Sequence, residues 1–523
     1  MKAFRLPLLL LSLLFFSAPA RAQNRVDSAT GVAPGPLRFR ISLARDIAPA
    51  GAAGRLLVLM TARPQTRDTL TIGFSPGETW IAAAEITHFA PNSVIEFNPD
   101  TLAFPLPFSQ AKPGTYQFMA LLDPDHTYAW HGQDGGDLSS QVVRVENLNP
   151  ASAAPVELTI TRVTPPRFVA KDTDSVRLVE FQSPALTAFH GRAITMRAGV
   201  VLPPGYETDK AKRYPVVFHV HGFGGDHSGA WRGSAALIQA MTEGKYAPML
   251  HVYLDGSFPT GHHEFADSVN NGPWGRALTT EFVPHLEKRF RAVGKPFARF
   301  LTGHSSGGWS TLWLQVTYPD FFGGTWSTAP DPVDLRSFTG IDATPGSKDN
   351  AYRKADGALK NLVRRNGQNL ATLQEFARQE EVTGEYGGQF ASFEWVWSPR
   401  GPDGRPLKAF NRVTGELNQE TLKYWQRYDI RLILEQNWAT LGPKLKGKIN
   451  VICGSEDTFH LEEAAIMLCD FFKAKGSDAV CEIVPGRDHG NLFGPEPKHY
   501  PDGLYTRIYQ EMQARYEKGL KKK

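Results

Sequence analysis

The chain has 523 residues, 41% of them hydrophobic and 21% charged, with a formal net charge of +4. That length exceeds one ordinary core and predicts two domains with insertions. So small a charge on so long a chain gives no electrostatic reason to expect nucleic acid or an anionic membrane surface as partner.

The first 22 residues read as a secretory signal. Lys2 and Arg5 supply a basic start, Leu6 to Phe16 an apolar run, and Ala20-Arg21-Ala22 a small-x-small cleavage site. The apolar run is short for a bilayer span. The expected location is therefore the periplasm or the exterior, with no membrane association once the signal is removed. Residues 23–36 read as a flexible N-terminal segment. Residues 37–163 then alternate as strands do ("LRFRIS", "RLLVLMTA", "TYQFMALL", "QVVRVEN", "VELTITRV"), separated by turn residues. This predicts an antiparallel β-sandwich accessory domain. Within it, Tyr128 and Trp130 are candidates for stacking on sugars, weighed against plain packing on the catalytic domain. Residues 164–174 ("TPPRFVAKDTD") read as a linker.

From residue 175 to about 519 the pattern changes to strand–helix alternation, which predicts a mostly parallel sheet with helices on both faces. "YPVVFHV" leads into a glycine loop, "APMLHVYLD" into the helix "WGRALTTEFVPHLEKRF", and "ARFLTG" into a helix carrying two serines. "GKINVICG" and "AVCEIVPG" are later strands. About 331–446 exceeds a crossover and reads as an insertion over the C-terminal edge of the sheet, where such folds bind ligands. The three cysteines, Cys453, Cys469 and Cys481, read as buried free thiols in preference to a disulfide, and no zinc-ligand set is present.

Gly303-His304-Ser305-Ser306-Gly307 fits G-x-S-x-G between a strand and a helix. The strand turns abruptly into the helix, so small residues are needed on either side of the serine. Ser305 is the expected nucleophile, and the Ser306 N–H, at the helix start, an oxyanion donor. A serine hydroxyl needs a base and a group that orients it, in the chain order Ser, acid, His. Asp457 in "NVICGSEDTFHL" and His489 in "EIVPGRDHGNLF" each follow a late strand. Glu456 and Asp331 ("TAPDPVD") are alternative acids, and Asp488 reads as structural. The second oxyanion donor is expected from His221-Gly222-Phe223-Gly224-Gly225: the Phe223 N–H, with Gly224 next. His221, Gly222, Gly224, His304 and Trp274 are candidate pocket residues, with packing under the loops as the competing reading. This chemistry needs no metal and no organic cofactor.

Taken together, "YPVVFHVHGFGG", "NNGPWGRALTTEFVPHLEKRF", "TGHSSGGWSTLWLQVTYPDFFGG", "GSEDTFHLEEA" and "GRDHGNLF" resemble the putative-esterase family of α/β-hydrolases, which includes esterase D, feruloyl and acetyl xylan esterases and enterochelin esterase-like enzymes. The resemblance implies an α/β-hydrolase fold with Ser305, Asp457 and His489 as the triad. It implies a serine esterase acting on a small-molecule or polysaccharide-linked carboxylic ester. The longer insertion and the N-terminal domain depart from the plain family pattern. Three other readings stand beside it: a prolyl-oligopeptidase-like peptidase, an acyltransferase on the same fold, and a non-catalytic binding protein.

Overall fold

A computed structural model describes residues 35–521 except 74–76, 127–133 and 386–387. The expected signal, Tyr128 and Trp130 lie outside the described residues.

In the N-terminal part the expected alternation appears in the strand Phe39–Leu43, which buries Phe39, Ile41 and Leu43 and leaves Arg40 and Ser42 half-buried. Hydrogen bonding links nine strands into one sheet: eight follow a path from Val94–Phe97 through Phe39–Leu43, Val156–Val163, Leu138–Ser140, Gly114–Asp123, Ala52–Thr61 and Trp80–Phe89 to Ala103–Phe104, and Val143–Leu148 pairs with Gly114–Asp123 off that path. The expected wholly antiparallel arrangement needs correcting, because Phe39–Leu43 and Val156–Val163 pair in parallel. Strand alternation has the same period in either direction, so it carries no information on strand sense.

The strand Ala52–Thr61 buries both of its faces. Leu56, Val58 and Met60 enter the core of the N-terminal domain with Phe39 and Phe118. Leu57 and Leu59 point the other way, into a second apolar cluster that takes in Leu70, Ile72 and, from the insertion, Val382.

The part that follows is built on eight strands: β1 (Val176–Gln182), β2 (Thr195–Val201), β3 (Val216–Val220), β4 (Leu250–Leu254), β5 (Arg299–His304), β6 (Gly324–Thr328), β7 (Ile449–Gly454) and β8 (Val480–Val484). Their order in the sheet is β1-β2-β4-β3-β5-β6-β7-β8. Pairing is antiparallel for β1–β2 and β2–β4 and parallel from β4 onward. Short apolar strands buried on both faces call for helices on both sides, and this is the α/β-hydrolase arrangement. The helices used below are α1 (Gly229–Thr242), α2 (Ser306–Thr317), α3 (Leu373–Thr383), α4 (Gln389–Trp397), α5 (Leu461–Ala474) and α6 (Leu504–Leu520). On one face, Leu237 and Met241 of α1 and Tyr509 and Met512 of α6 pack in a cluster with Val217 and Phe300. On the other, Leu278, Phe282 and Leu286 pack with Val216, Phe218 and Leu301.

The single helix expected over 274–290 forms as Trp274–Ala277, a π-turn Leu278–Phe282 and Val283–Arg289. Pro284 lies just inside the last of these. It has no N–H to donate back to the preceding turn, which the local π geometry accommodates.

Between β6 and β7 lie a two-stranded ribbon, Asn361–Arg365 with Gln368–Thr372, then α3, α4 and further helices. Helix α3 starts with a reciprocal cap, Thr372 to Glu375 and back. It ends against the N-terminal domain: Arg55 Nη2 donates to the carbonyls of Glu381 (3.1 Å) and Val382 (2.8 Å) in its last turn. A cation on the free carbonyls of a helix end is favourable in both charge and hydrogen bonding.

The free-thiol expectation is corrected for two of the three cysteines. Cys469 of α5 and Cys481 of β8 form a disulfide with Cα atoms 5.7 Å apart, while Cys453 is free and buried in β7. The helix crosses beside its neighbouring strand, a juxtaposition that residue spacing along the chain does not reveal.

Candidate active site

Ser305 occupies the turn between β5 and α2 with φ 60° and ψ −125°, a sterically costly conformation for a residue with a side chain. The flanking glycines explain how the turn closes. A Cβ on Gly303 would stand 2.2 Å from the Gly307 carbonyl oxygen, and one on Gly307 only 2.0 Å from that of Val220. Any side chain at either position collides with backbone. The turn is held further by the Ser305 N–H, which donates to the Thr328 carbonyl at 3.1 Å.

Asp457 follows β7 and is fully buried. Its Oδ1 accepts the N–H groups of Phe459 (2.9 Å) and Leu461 (3.5 Å), and its Oδ2 lies 2.7 Å from His489 Nδ1. Burial by itself pushes the Asp457 carboxyl up; the charge and hydrogen bond of His489 outweigh it and hold the group below the usual carboxylate range. For His489, burial favours the neutral ring. Asp457 opposes it first, then Asp331 and Asp488, and the net effect raises the imidazole above its ordinary value. His304, next to Ser305, lies under the base, with ring centroids 4.2 Å apart. Burial and the nearby His489 push His304 down to about 3, so it stays neutral.

The Ser305 hydroxyl donates to Asp331 Oδ1 at 3.3 Å, and the Ser306 hydroxyl to Asp331 Oδ2 at 2.5 Å. Among the described residues no hydrogen bond joins Ser305 to His489 in this state. Asp331 also feels the charge of His489, whose ring packs on that of His304 beside Ser305. Burial raises Asp331 to about 6 against the hydrogen bonds of the two serines. A second buried carboxyl, Glu264, accepts from Ser310 at 3.1 Å and is pushed well up, first by burial and then by Asp331.

The glycine loop passes close to the nucleophile. A Cβ on Gly222 would meet the Ser305 Cβ at 3.2 Å, and Gly224 has φ +82°, a conformation glycine adopts without strain. The Ser306 N–H opens α2, where helix geometry leaves it without an intrahelical partner. His221 braces this loop. Its Nδ1–H donates to the Gly222 carbonyl (2.8 Å), and its Nε2 accepts the Gly256 N–H (2.8 Å). Trp274 is buried and stacks on His263 at 3.6 Å. Of the candidate pocket residues, then, His221 and His304 serve as packing supports, whereas Trp274 and Gly224 line a cleft of about 700 Å³ beside the loop.

Three features escaped sequence reasoning. The bond from Asp331 to both serines depends on where β6 ends, although its acidity had marked it as a candidate. Phe459, whose ring meets His489 edge-on at 4.9 Å, and Glu264 carried no readable signal. His460, Glu462 and Glu463 hold potential ligand atoms within 4.8 Å of one another, but Arg364 is bonded to Glu462 and Ser337 to Glu463, so these carboxylates are already engaged.

Residues 193–437 match the family described as putative esterase. Over 135 residues the chain is 30% identical to an endo-1,4-beta-xylanase/feruloyl esterase of Xylanibacter ruminicola, a match covering 24% of this chain and 18% of that protein. The chain therefore spans under a fifth of that relative's length. Among solved structures, a ferulic acid esterase aligns with 13% identity and a TM-score of 0.40, over 65% of this chain and 97% of its own. An S-formylglutathione hydrolase from Agrobacterium tumefaciens aligns with 15% identity and a TM-score of 0.34, over 68% and 96%. The family match ends before Asp457 and His489, so the acid and base rest on the geometry alone. Residues 193–437 are thus similar to the putative esterase family, the resemblance that the motifs around Ser305 carry.

Proposed function

We propose that this protein is an exported serine hydrolase that cleaves carboxylic esters through an acyl-enzyme. The observation that carries the reading is the Asp457–His489 contact at 2.7 Å beside a serine held at φ 60°. The reading requires Ser305 Oγ to turn from Asp331 toward His489, a motion between staggered rotamers. Catalytic hydrogen bonds of this kind are often loose until substrate binds.

His489 Nε2 takes the proton as Ser305 Oγ attacks the ester carbonyl. Asp457 fixes Nδ1–H as the protonated nitrogen and stabilises the imidazolium that forms. The N–H groups of Phe223 and Ser306 receive the oxyanion, the latter aided by the positive end of α2. His489 then returns the proton to the leaving alcohol. Water, deprotonated by the same nitrogen, clears the acyl group.

An acylated carbohydrate is the substrate class we favour. The 700 Å³ cleft beside the glycine loop combines Arg192, Arg197, Asp226 and Arg232 with Phe258 and Trp274. Polar groups beside aromatic rings suit a hydroxylated ring, and the Xylanibacter relative is named for a polysaccharide-linked activity. An aromatic, feruloyl-type ester is the other acyl reading that its name suggests. The basic start, apolar run and Ala20-Arg21-Ala22 site support delivery to the periplasm or the exterior.

Ser305→Ala is expected to lower kcat on p-nitrophenyl acetate by about 10⁶, as removal of such a nucleophile does, with the fold intact by circular dichroism. A fluorophosphonate probe should add its mass to the peptide carrying Ser305 in the wild type only. Wild-type turnover in the variant would sink the assignment.

A further inference from the structure

Two small cavities lie among the neighbours of the reacting groups, with Phe376 and Gln389 bordering both. The first is bounded by Asp331, which accepts the Ser305 hydroxyl, and by Phe459, which packs on His489. Its remaining walls include Leu362, Phe376 of α3, and Phe390 and Phe393 of α4. Its free volume is about 20 Å³. That is room for one water-sized group, whereas a bare benzene ring occupies a cavity of about 150 Å³. The second cavity, also about 20 Å³, is bounded by Phe223, Phe376, Gln379 and Glu380. Phe376 and Gln389 together stand between the two.

These walls are not free to retreat. Phe376 meets Phe390 edge-on with ring centroids 5.6 Å apart, Phe390 meets Phe410 at 5.5 Å, and Phe393 meets Phe338 at 5.3 Å. Phe376 is 8%, Phe390 4% and Phe393 3% exposed. Widening the first cavity by a ring's volume means displacing several interlocked aromatics in an interior packed as densely as an organic crystal. Helix α3, which carries Phe376, is in turn clamped at its far end by Arg55 and by the burial of Val382 in the N-terminal domain.

On the reading that Ser305 forms an acyl-enzyme, we infer that the first cavity is the acyl pocket and that it admits the methyl of an acetyl group while excluding longer or aromatic acyl groups. When Ser305 attacks, the carbonyl oxygen turns to the Phe223 and Ser306 N–H groups and the alcohol leaves toward the cleft beside Gly224. The acyl substituent then points to the remaining side, between Asp331 and Phe459. The substrate class is thereby narrowed to acetyl esters, and feruloyl-type esters are excluded despite the names of the relatives.

The test compares kcat/KM of the full chain on p-nitrophenyl acetate, butyrate and octanoate and on methyl ferulate. Acetate is expected to exceed butyrate by at least about tenfold, because extra methylenes that do not fit cost about 10–200-fold in discrimination. Octanoate and ferulate should fall at least a further tenfold. Phe376→Ala joins the two cavities and should shift the octanoate-to-acetate ratio at least about tenfold toward octanoate; Phe390→Leu provides a milder opening should the alanine variant fail to fold. Ferulate turned over by the wild type as well as acetate overturns the pocket assignment and leaves the hydrolase reading standing. Turnover of none of the four esters overturns the hydrolase reading itself.

Discussion

Asp457→Asn is the substitution that most directly examines the site. It keeps the shape of the side chain and the contacts of Oδ1 with the Phe459 and Leu461 N–H groups, but removes the charge facing His489 Nδ1. Two charges about 4 Å apart at an effective dielectric of about 20 interact by about 4 kcal/mol, equivalent to about three pKa units. Asp331 and Asp488 also hold the imidazole up and remain in the variant, so the net fall should be smaller than loss of the Asp457 charge alone would give. The sign follows from the role of the base. His489 must be neutral to accept the serine proton, so wild-type kcat/KM should fall as pH drops through a His489 value lying above the ordinary 6.5. In the variant this acid limb moves to lower pH. The amide also favours the wrong imidazole tautomer, which lowers kcat by about 10⁴. Initial rates on p-nitrophenyl acetate from pH 4 to 9 measure both effects. An unmoved limb with kcat within about tenfold of wild type refutes the assignment. The same losses in Asp331→Asn would then identify Asp331 as the orienting acid.

Two other substitutions address the frame around the site. Gly307→Ala sets a methyl 2.0 Å from the Val220 carbonyl oxygen and 2.6 Å from that of His221, both backbone atoms of β3 and the glycine loop after it. Overpacking of this kind usually costs about 1–3 kcal/mol, and with no flexible neighbour the upper end or beyond is expected. A lowered urea midpoint together with lost esterase activity should be seen; a native midpoint with full activity refutes the steric account. Replacing both Cys469 and Cys481 by Ala opens a short loop between α5 and β8, a loss of about 3 kcal/mol by chain entropy. The urea midpoint of the oxidised wild type should exceed that of the variant, and adding reductant should bring the two together. Identical midpoints with and without reductant would contradict it.

The elbow was legible because its requirements are local. Two glycines at fixed offsets, an apolar strand before and an apolar helix after are all contiguous in the chain, and Gly303 and Gly307 have no room for a Cβ. The pairing of Asp457 with His489 was legible at longer range because a parallel sheet brings the ends of successive strands to one edge, so residues just past β7 and β8 become neighbours. What stayed hidden depended on side-chain direction. Asp331 was readable as an acid near the site, but its bonds to Ser305 and Ser306 follow from the exact end of β6. His221 and His304 were readable as polar groups near the pocket, yet both turn to the backbone or to the base. In the N-terminal domain the alternation located the strands. It left open that Phe39–Leu43 and Val156–Val163, far apart in the chain, run in the same direction.

The N-terminal domain and the insertion lie outside the strand-and-helix frame that positions Ser305, Asp457 and His489, yet both bear on their surroundings. A strand with two buried faces needs a cover on each. In Ala52–Thr61 the second face finds part of its cover in Val382, at the end of the helix whose middle carries Phe376. Arg55, on the same strand, closes the carbonyls of that helix end. The helix bearing Phe376 is thus fixed at one end by the N-terminal sheet and at the other by its own cap. Near Ser305 the aromatic side chains of α3 and α4 bound a space of about 20 Å³. A domain outside the α/β sheet can in this way bear on which acyl group fits beside Ser305, because in a densely packed interior the position of one buried helix decides the volume left beside it.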